Sequence, residues 1–196
     1  MLDRSVPYAG LFMRRRAGTP IPEFPLPDGF SFAFFSDGCE KDWARIETSV
    51  LEFESEFAAL LFFKENFMPY AEELNRRCLF IENAEGEKIA TATAWWAHVD
   101  GRRRPWVHWV GVVPAYQGMG LGKAVMAGVT KLMVLLEGEA AIYLKTQTWS
   151  YRAIGVYKEC GYLPTDEKIL YKAHGNTFKK ALRILKRLGR KGLYRE

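Results

Sequence analysis

One segment near the middle of the chain, residues 112–126, constrains the fold more than any other. It reads Val-Val-Pro-Ala-Tyr-Gln-Gly-Met-Gly-Leu-Gly-Lys-Ala-Val-Met, so that a β-branched run ends at Pro114 and an apolar helical pattern follows the glycines. A strand, a glycine-rich loop and a helix in this order bring several backbone N–H groups together at a helix N-terminus. The segment therefore predicts an anion-binding loop, in which Gly118, Gly120 and Gly122 are free to adopt positive φ.

The spacing of the glycines argues against two common phosphate-binding loops. A nucleotide P-loop has four residues between its glycines and a Ser or Thr after its lysine, whereas Ala124 follows Lys123 here. A dinucleotide-binding loop has the pattern Gly-x-Gly-x-x-Gly and an acidic residue at the end of the next strand. The next predicted strand, residues 141–146, ends without one. Neither loop type is therefore expected.

A third pattern, Gln/Arg-x-x-Gly-x-Gly/Ala, is matched by Gln117, Gly120 and Gly122. It resembles the pyrophosphate loop of the GCN5-related N-acetyltransferases (GNAT superfamily), which bind acetyl-CoA. Residues 151–162, Tyr-Arg-Ala-Ile-Gly-Val-Tyr-Lys-Glu-Cys-Gly-Tyr, are similar to the second signature of the family, Asn-x-x-Ala-x-x-Leu-Tyr-x-Lys-x-Gly-Phe, with Ser150 where the family usually has Asn. Two signatures in the family's order favour this resemblance over a glycine loop that binds no ligand.

The resemblance implies an α/β (α+β) fold, the GNAT acyl-CoA N-acyltransferase fold, with a mixed, mostly antiparallel central sheet flanked by helices. Apolar periodicity predicts the elements of this fold in order. They are a strand at 30–35, helices at 40–53 and 54–67, hairpin strands at 78–82 and 88–99, a strand at 106–113, a helix at 121–136, a strand at 141–146, a helix at 151–160 and a closing strand at 169–173.

The sequence predicts three parts along the chain. Residues 1–27 contain five prolines and are expected to form an extended N-terminal arm. Residues 28–173 are expected to form the GNAT domain. Residues 174–196 are expected to form a basic amphipathic C-terminal helix, with an apolar stripe of Phe178, Ala181, Leu182, Leu185 and Leu188.

The net charge of +5 is distributed unevenly between the body and the tail. Residues 176–196 carry eight Lys or Arg and one Glu, whereas the first 175 residues carry 20 basic and 22 acidic residues. A mildly acidic body suits a cationic amine better than a nucleic acid. Two roles remain open for the tail: its apolar stripe docks on this domain or on a second copy in a homodimer, or its charges bind an anionic partner such as RNA or acidic lipid.

Cysteine usage and hydropathy indicate the compartment. Cys39, Cys78 and Cys160 are widely spaced, which indicates neither a disulfide framework nor a zinc site. No apolar run approaches the length of a membrane span, and the N-terminus lacks a secretory core. The sequence therefore predicts a cytoplasmic protein without a metal.

The resemblance also implies a set of acetyl-CoA-binding residues. They are Val110, Gly111, Val112, Gln117, Gly118, Met119, Gly120, Leu121, Gly122, Lys123 and Ser150. The splayed end of the strand would offer backbone groups to the pantetheine arm and the thioester, and the glycine loop would hold the diphosphate. Gly111 within a strand indicates either a close backbone approach or packing beside a tryptophan. The Ser150 hydroxyl can either cap a helix or reach the pantetheine arm.

Two catalytic residues are expected from the same resemblance, Tyr157 and His108. Tyr157 falls on the tyrosine whose hydroxyl acts as general acid near the thioester sulfur, although its ring can also simply pack under the sheet. His108 falls where certain arylalkylamine acetyltransferases have a histidine, and an imidazole can relay an amine proton. The alternative is a structural histidine. Alternation along the strand predicts that it shares a face with Trp106 and Val110.

Glu47 and Glu54 are further candidates for the base or for an ammonium anchor, and the alternative is that they are solvated charges on helix surfaces. The function implied is an N-acetyltransferase that transfers the acetyl group of acetyl-CoA to a primary amine of a small-molecule or peptide acceptor by direct attack in a ternary complex. A non-catalytic acetyl-CoA-binding module and an acyltransferase that uses a longer acyl-CoA remain as alternatives.

Overall fold

The computed structural model describes residues 2–172 and 177–192, and contains one sheet of seven strands. The strands are β1 (Gly10–Arg15), β2 (Ser31–Phe34), β3 (Cys78–Glu82), β4 (Lys88–Val99), β5 (Arg102–Val112), β6 (Ile142–Gln147) and β7 (Leu163–Thr165). Their spatial order is β2-β3-β4-β5-β6-β1-β7. All neighbours are antiparallel except β5 and β6, which are parallel. The predicted mixed, mostly antiparallel sheet is therefore confirmed.

Helices cover both faces of the sheet. They are α1 (Cys39–Ser49), α2 (Glu56–Asn66), α3 (Ala71–Arg77), α4 (Leu121–Glu137), α5 (Tyr151–Glu159), α6 (Lys168–Tyr171) and α7 (Phe178–Arg190). One core cluster, the α4 core, contains residues of α4, α5 and α7, and a second, the α1 core, contains residues of α1 and α2. Alternate residues of β3 enter the two cores, which therefore lie on opposite faces.

The N-terminal segment departs from the predicted arm. Gly10–Arg15 forms β1, which lies inside the sheet between β6 and β7. Leu11 and Met13 face the α4 core, and Phe12 packs on the other face against Trp106. A strand that is buried on both faces has a continuous apolar run instead of an alternating pattern. The short run here was not recognised as a strand because prolines are frequent on both sides of it.

The closing strand also lies elsewhere than predicted. It is β7, Leu163–Thr165, whereas Lys168–Tyr171 forms the short helix α6. Pro164 is tolerated in β7 because this strand lies at the edge of the sheet, where a proline removes no ladder hydrogen bond. The last predicted strand residue, Ala173, lies outside the described residues, as do the predicted tail residues 174–176 and 193–196.

The C-terminal helix α7 packs on its own domain. Ala181, Ile184, Leu185 and Leu188 are buried in the α4 core, whereas Leu182 is exposed. Ala181, Leu185 and Leu188 of the predicted apolar stripe are therefore buried, and Ile184 takes the place predicted for Leu182. No helix in the described part of the chain has the length and apolar character needed to cross a membrane.

Candidate active site

A cleft opens where two parallel strands diverge. Within the described chain, β5 and β6 pair only through Trp106 with Tyr143 and Val107 with Leu144. Beyond these pairs the strands separate and border a cleft of about 1360 Å³. Nine of the eleven residues expected to bind acetyl-CoA border this cleft, together with both expected catalytic residues. The cleft therefore brings together most of the residues that the sequence singled out.

The glycine loop lies at the start of α4 and has the geometry of an anion cradle. Gly118 and Gly120 have φ of 86° and 84°, and a Cβ added to either would meet no atom within 4 Å. The side chain of Gln117 donates from Nε2 to the Val112 carbonyl at 2.8 Å, which ties the loop to the end of β5. The loop is therefore held with its backbone open toward the cleft, at the positive end of the α4 dipole.

The other loop residues have different environments. Gly122 lies within α4, where an added Cβ would be in ordinary contact with Val112 at 3.9 Å. It does not use the freedom to adopt positive φ that the sequence gives it. Met119 is 46% exposed and Leu121 is buried in the α4 core, and neither borders the cleft. Lys123 borders the cleft and pairs with Glu159 at 2.6 Å.

Ser150 lies just before α5 and borders the cleft. Its side chain makes no capping bond to the helix; its hydroxyl lies 3.3 Å from Nε2 of Gln147, which donates to it. The capping role suggested for this serine is therefore wrong. Its place in the cleft is compatible with the other suggestion, contact with a bound ligand.

A β-bulge re-aims the side chains of β5 beside the cleft. Residues 109 and 110 lie opposite the single residue 92 of β4, and Trp109 has a φ of 52°, a conformation that bulky residues rarely adopt. Val110 enters the α4 core, as Val107 does, so it does not share a face with Trp106. The predicted alternation fails because the bulge inserts one extra residue into the strand.

Helix α1 approaches β5 closely at Gly111. A Cβ on Gly111 would lie 2.8 Å from Oε1 of Glu47 and 3.0 Å from the Cγ2 methyl of Ile46. The close approach found at Gly111 is therefore that of α1 side chains, one of them a carboxylate, and the approach of its backbone to a ligand stays a prediction. The absence of a side chain at Gly111 is what lets Glu47 reach the floor of the cleft.

Glu47 borders the cleft as a fully buried ionisable residue. Its side chain is 0% exposed, and neither carboxylate oxygen has a hydrogen-bond partner among the described residues. Burial raises the pKa of its carboxyl well above the usual value, and the charge of Glu52 raises it further. The suggestion that Glu47 is a solvated surface charge is therefore wrong. Glu54, in contrast, is exposed and does not border the cleft.

Sequence reasoning underrated Glu47 and did not consider Glu52, which also borders the cleft. A signal for Glu47 was present in the periodicity of α1. Glu47 follows Trp43 by one helical turn and lies next to Ile46, so it falls on the apolar face of the helix. A glutamate on such a face must either be paired or have a raised pKa.

Tyr157 and His108 both border the cleft, from α5 and β5 respectively. Burial, followed by the charges of Glu52 and Glu47, raises the pKa of the Tyr157 hydroxyl, so it keeps its proton at neutral pH. Burial lowers the pKa of His108 from 6.5 to about 4, against the effect of a hydrogen bond with the Trp96 backbone. Its Nε2 has no partner among the described residues.

Comparison with known proteins adds independent evidence. The model of the acetyltransferase (GNAT) family matches residues 41–162. A mycothiol acetyltransferase of Paenarthrobacter aurescens (strain TC1) is 28% identical over an alignment that covers 77% of this chain and 48% of that protein. The chain thus spans about half the length of this relative.

Solved structures support the same fold. A GCN5-related N-acetyltransferase from Sphaerobacter thermophilus superposes with a TM-score of 0.63 at 18% identity, over 82% of this chain and 49% of that one. A GNAT-family acetyltransferase from Colwellia psychrerythraea gives a TM-score of 0.59 at 11% identity, over 81% and 54% of the two chains. The family match covers most of the chain, including both signatures and most of the residues that border the cleft. The chain therefore belongs to the GNAT acetyltransferase family.

Proposed function

We propose that this protein is an N-acetyltransferase that moves the acetyl group of acetyl-CoA to a primary amine of a small-molecule or peptide acceptor, by direct attack in a ternary complex. One observation carries the proposal: the open glycine loop and the side chains of Glu47 and Tyr157 border the same cleft, at the point where β5 and β6 diverge. An anion cradle beside two groups suited to proton transfer is what acetyl transfer from a CoA thioester requires.

The residues present fit acetyl-CoA. The loop around Gly118 and Gly120 would hold the diphosphate, because its positive-φ glycines leave open space at the N-terminus of α4. Backbone groups of Val110, Gly111 and Val112 would lie along the pantetheine arm, since this stretch of β5 borders the cleft without pairing with β6. Acetyl-CoA, when bound, supplies an activated thioester.

Glu47 is proposed as the general base. Its carboxylate has no partner among the described residues and lies against Gly111, in the stretch of β5 that would hold the thioester. Its raised pKa brings it closer to the pKa of an amine, which favours proton transfer. This assignment replaces His108, whose lowered pKa makes its imidazole a weak base at neutral pH.

Tyr157 is proposed as the general acid. The acceptor nitrogen forms the new N–C bond as the C–S bond breaks, and the Tyr157 hydroxyl gives its proton to the sulfur. The nitrogen loses two protons in all: one passes through Glu47 to solvent, and the other restores Tyr157. The hydroxyl is protonated at neutral pH, as a general acid must be at the start of each cycle.

The test is a panel of primary amines with acetyl-CoA, read by release of the free CoA thiol and by the mass of the product. The proposal predicts acetylated amine and, for Tyr157→Phe, a kcat about 100- to 10,000-fold lower with nearly unchanged acetyl-CoA affinity. Binding of acetyl-CoA without turnover of any amine would instead indicate a binding module. Faster turnover with propionyl-CoA than with acetyl-CoA would indicate a longer-chain acyltransferase.

A further inference from the structure

The end of α1 has a geometry that places two glutamates side by side. The N–H of Glu52 donates to the carbonyl of Glu47 at 3.1 Å, and the N–H of Leu51 donates to the carbonyl of Thr48 at 3.0 Å. Leu51 has a φ of 71°. These three features define a Schellman motif, with Glu47 at the C3 position, Leu51 at C′ and Glu52 at C″.

The two glutamates occupy positions that usually make an apolar contact. In a Schellman motif the side chains at C3 and C″ commonly pack against each other as hydrophobic residues. Here both are carboxylates, Glu47 at the buried end and Glu52 at the exposed mouth of the cleft. The strained left-handed conformation is adopted by leucine, where glycine would adopt it freely, and such strain is concentrated at functional sites.

The surroundings position this pair and place one cation, Arg4, near it; burial raises the pKa of the Glu52 carboxyl, and the Gln147 hydrogen bond and the Arg4 charge lower it. Gln147 donates from Nε2 to Oε1 of Glu52 at 3.3 Å, and the same nitrogen donates to Ser150. Arg4 directs its guanidinium to the Leu51 carbonyl at 3.5 Å and lies over the ring of Trp149. Among the described residues, no Lys, Arg or His nitrogen lies within 4.0 Å of a carboxylate oxygen of Glu47 or Glu52, and both glutamates border the cleft.

We propose that Glu47 and Glu52 form a subsite that binds the acceptor as its ammonium ion. Glu52 holds the cation at the mouth, and Glu47, at the inner end, takes one proton from it and returns that proton to solvent. The free amine then attacks as described above. This inference rests on the proposed function. It narrows the acceptor to a cationic primary amine that has no acidic group next to the nitrogen. An acidic group at that position would be repelled by the two glutamates.

The experiment measures binding separately from turnover. The protein is saturated with CoA, the unreactive product, and titrated by NMR with benzylamine, a cation at neutral pH, and with benzyl alcohol, its uncharged analogue. Glu52→Gln is expected to weaken benzylamine binding about tenfold, as expected for loss of one charged contact, and to leave benzyl alcohol binding unchanged. Glu54→Gln is the matched control, because Glu54 is exposed and away from the cleft.

Each alternative outcome has a definite meaning. Equal binding of benzylamine and benzyl alcohol by the unmodified protein overturns the ammonium subsite, as does a Glu52→Gln variant that weakens both probes equally or neither. Charge-selective binding that depends on Glu52, combined with no turnover of any amine, keeps the subsite and rejects the acetyl-transfer function. Turnover of amines with no effect of Glu52→Gln on KM rejects the subsite and keeps the function.

Discussion

At the scale of a single residue, Glu47, the proposed base, is also expected to affect stability. Because its pKa is raised in the folded protein, the folded state retains a proton that the unfolded state loses above the usual value of 4.5. Stability therefore falls as the pH rises from this value toward the folded pKa. Glu47→Gln is expected to raise the Tm at pH 8 by a few degrees, at about 2–4 °C per kcal/mol for a domain of this size, while lowering kcat.

Calorimetric scans of both proteins at several pH values check this prediction. The gain in Tm should shrink toward pH 4, where the glutamate is protonated in both states, so the variant's stability should depend less on pH than that of the unmodified protein. A variant that is less stable at pH 8 would show that Glu47 is ionised and stabilised by an interaction, which would contradict the proposed raised pKa.

His108 has the opposite linkage. Its pKa is lowered to about 4 in the folded protein. Below pH 6.5 the unfolded state therefore binds a proton at this histidine, and the folded state does not bind it until the pH approaches 4. Stability is therefore expected to fall between pH 6.5 and pH 4, and His108→Gln should reduce this loss.

In kinetics, the acidic limb of the kcat profile should persist in His108→Gln, with Glu47 as its source. Loss of that limb in the histidine variant would restore His108 as the base.

At the scale of structural elements, the strand–loop–helix unit around the glycine loop has a direct test. Gly120→Asp adds a carboxylate at the N-terminus of α4, so acetyl-CoA affinity should fall by about 100-fold or more through charge repulsion and blocked approach. Gly86→Asp is the matched control, because Gly86 also has positive φ, 80°, and open space, but lies in the β3–β4 turn. Calorimetric titration of both variants should show lost affinity in the first alone.

Elements with local signals were predictable from the sequence. The β3–β4 hairpin, the glycine loop and α4 agree with the structure because turn residues and helical periodicity mark them directly. The bulge at Trp109 and the left-handed Leu51 were not predictable. Each places a bulky residue in a backbone conformation that glycine usually adopts. For Trp109, packing of its ring against Trp43 and Phe53 outweighs the cost of the positive φ.

At the scale of the whole molecule, the sheet order depends on contacts between distant parts of the sequence. The register of β1 against β6 pairs Gly10 with Gln147, and β1 also pairs with β7. Local periodicity carries no information about such pairings, which explains why residues 1–27 were expected to lie outside the domain. The same strand supports the C-terminal helix: the Thr177 hydroxyl donates to the Gly10 carbonyl at 2.6 Å.

Helix α7 is expected to contribute to the stability of the whole molecule through its buried face. Leu185 is 2% exposed in the α4 core and Leu182 is 38% exposed on the same helix. Leu185→Ala should cost about 2–5 kcal/mol of unfolding free energy, which is a Tm drop of roughly 4–20 °C at this size, whereas Leu182→Ala should change Tm by about a degree or two. Equal, small effects would show that α7 is not part of the folded body. The basic face of α7, with Lys179, Arg183 and Lys186, is exposed. Salt-sensitive retention on RNA or anionic liposomes is therefore a separate measurement, which tests the other role left open for the tail, binding of an anionic partner.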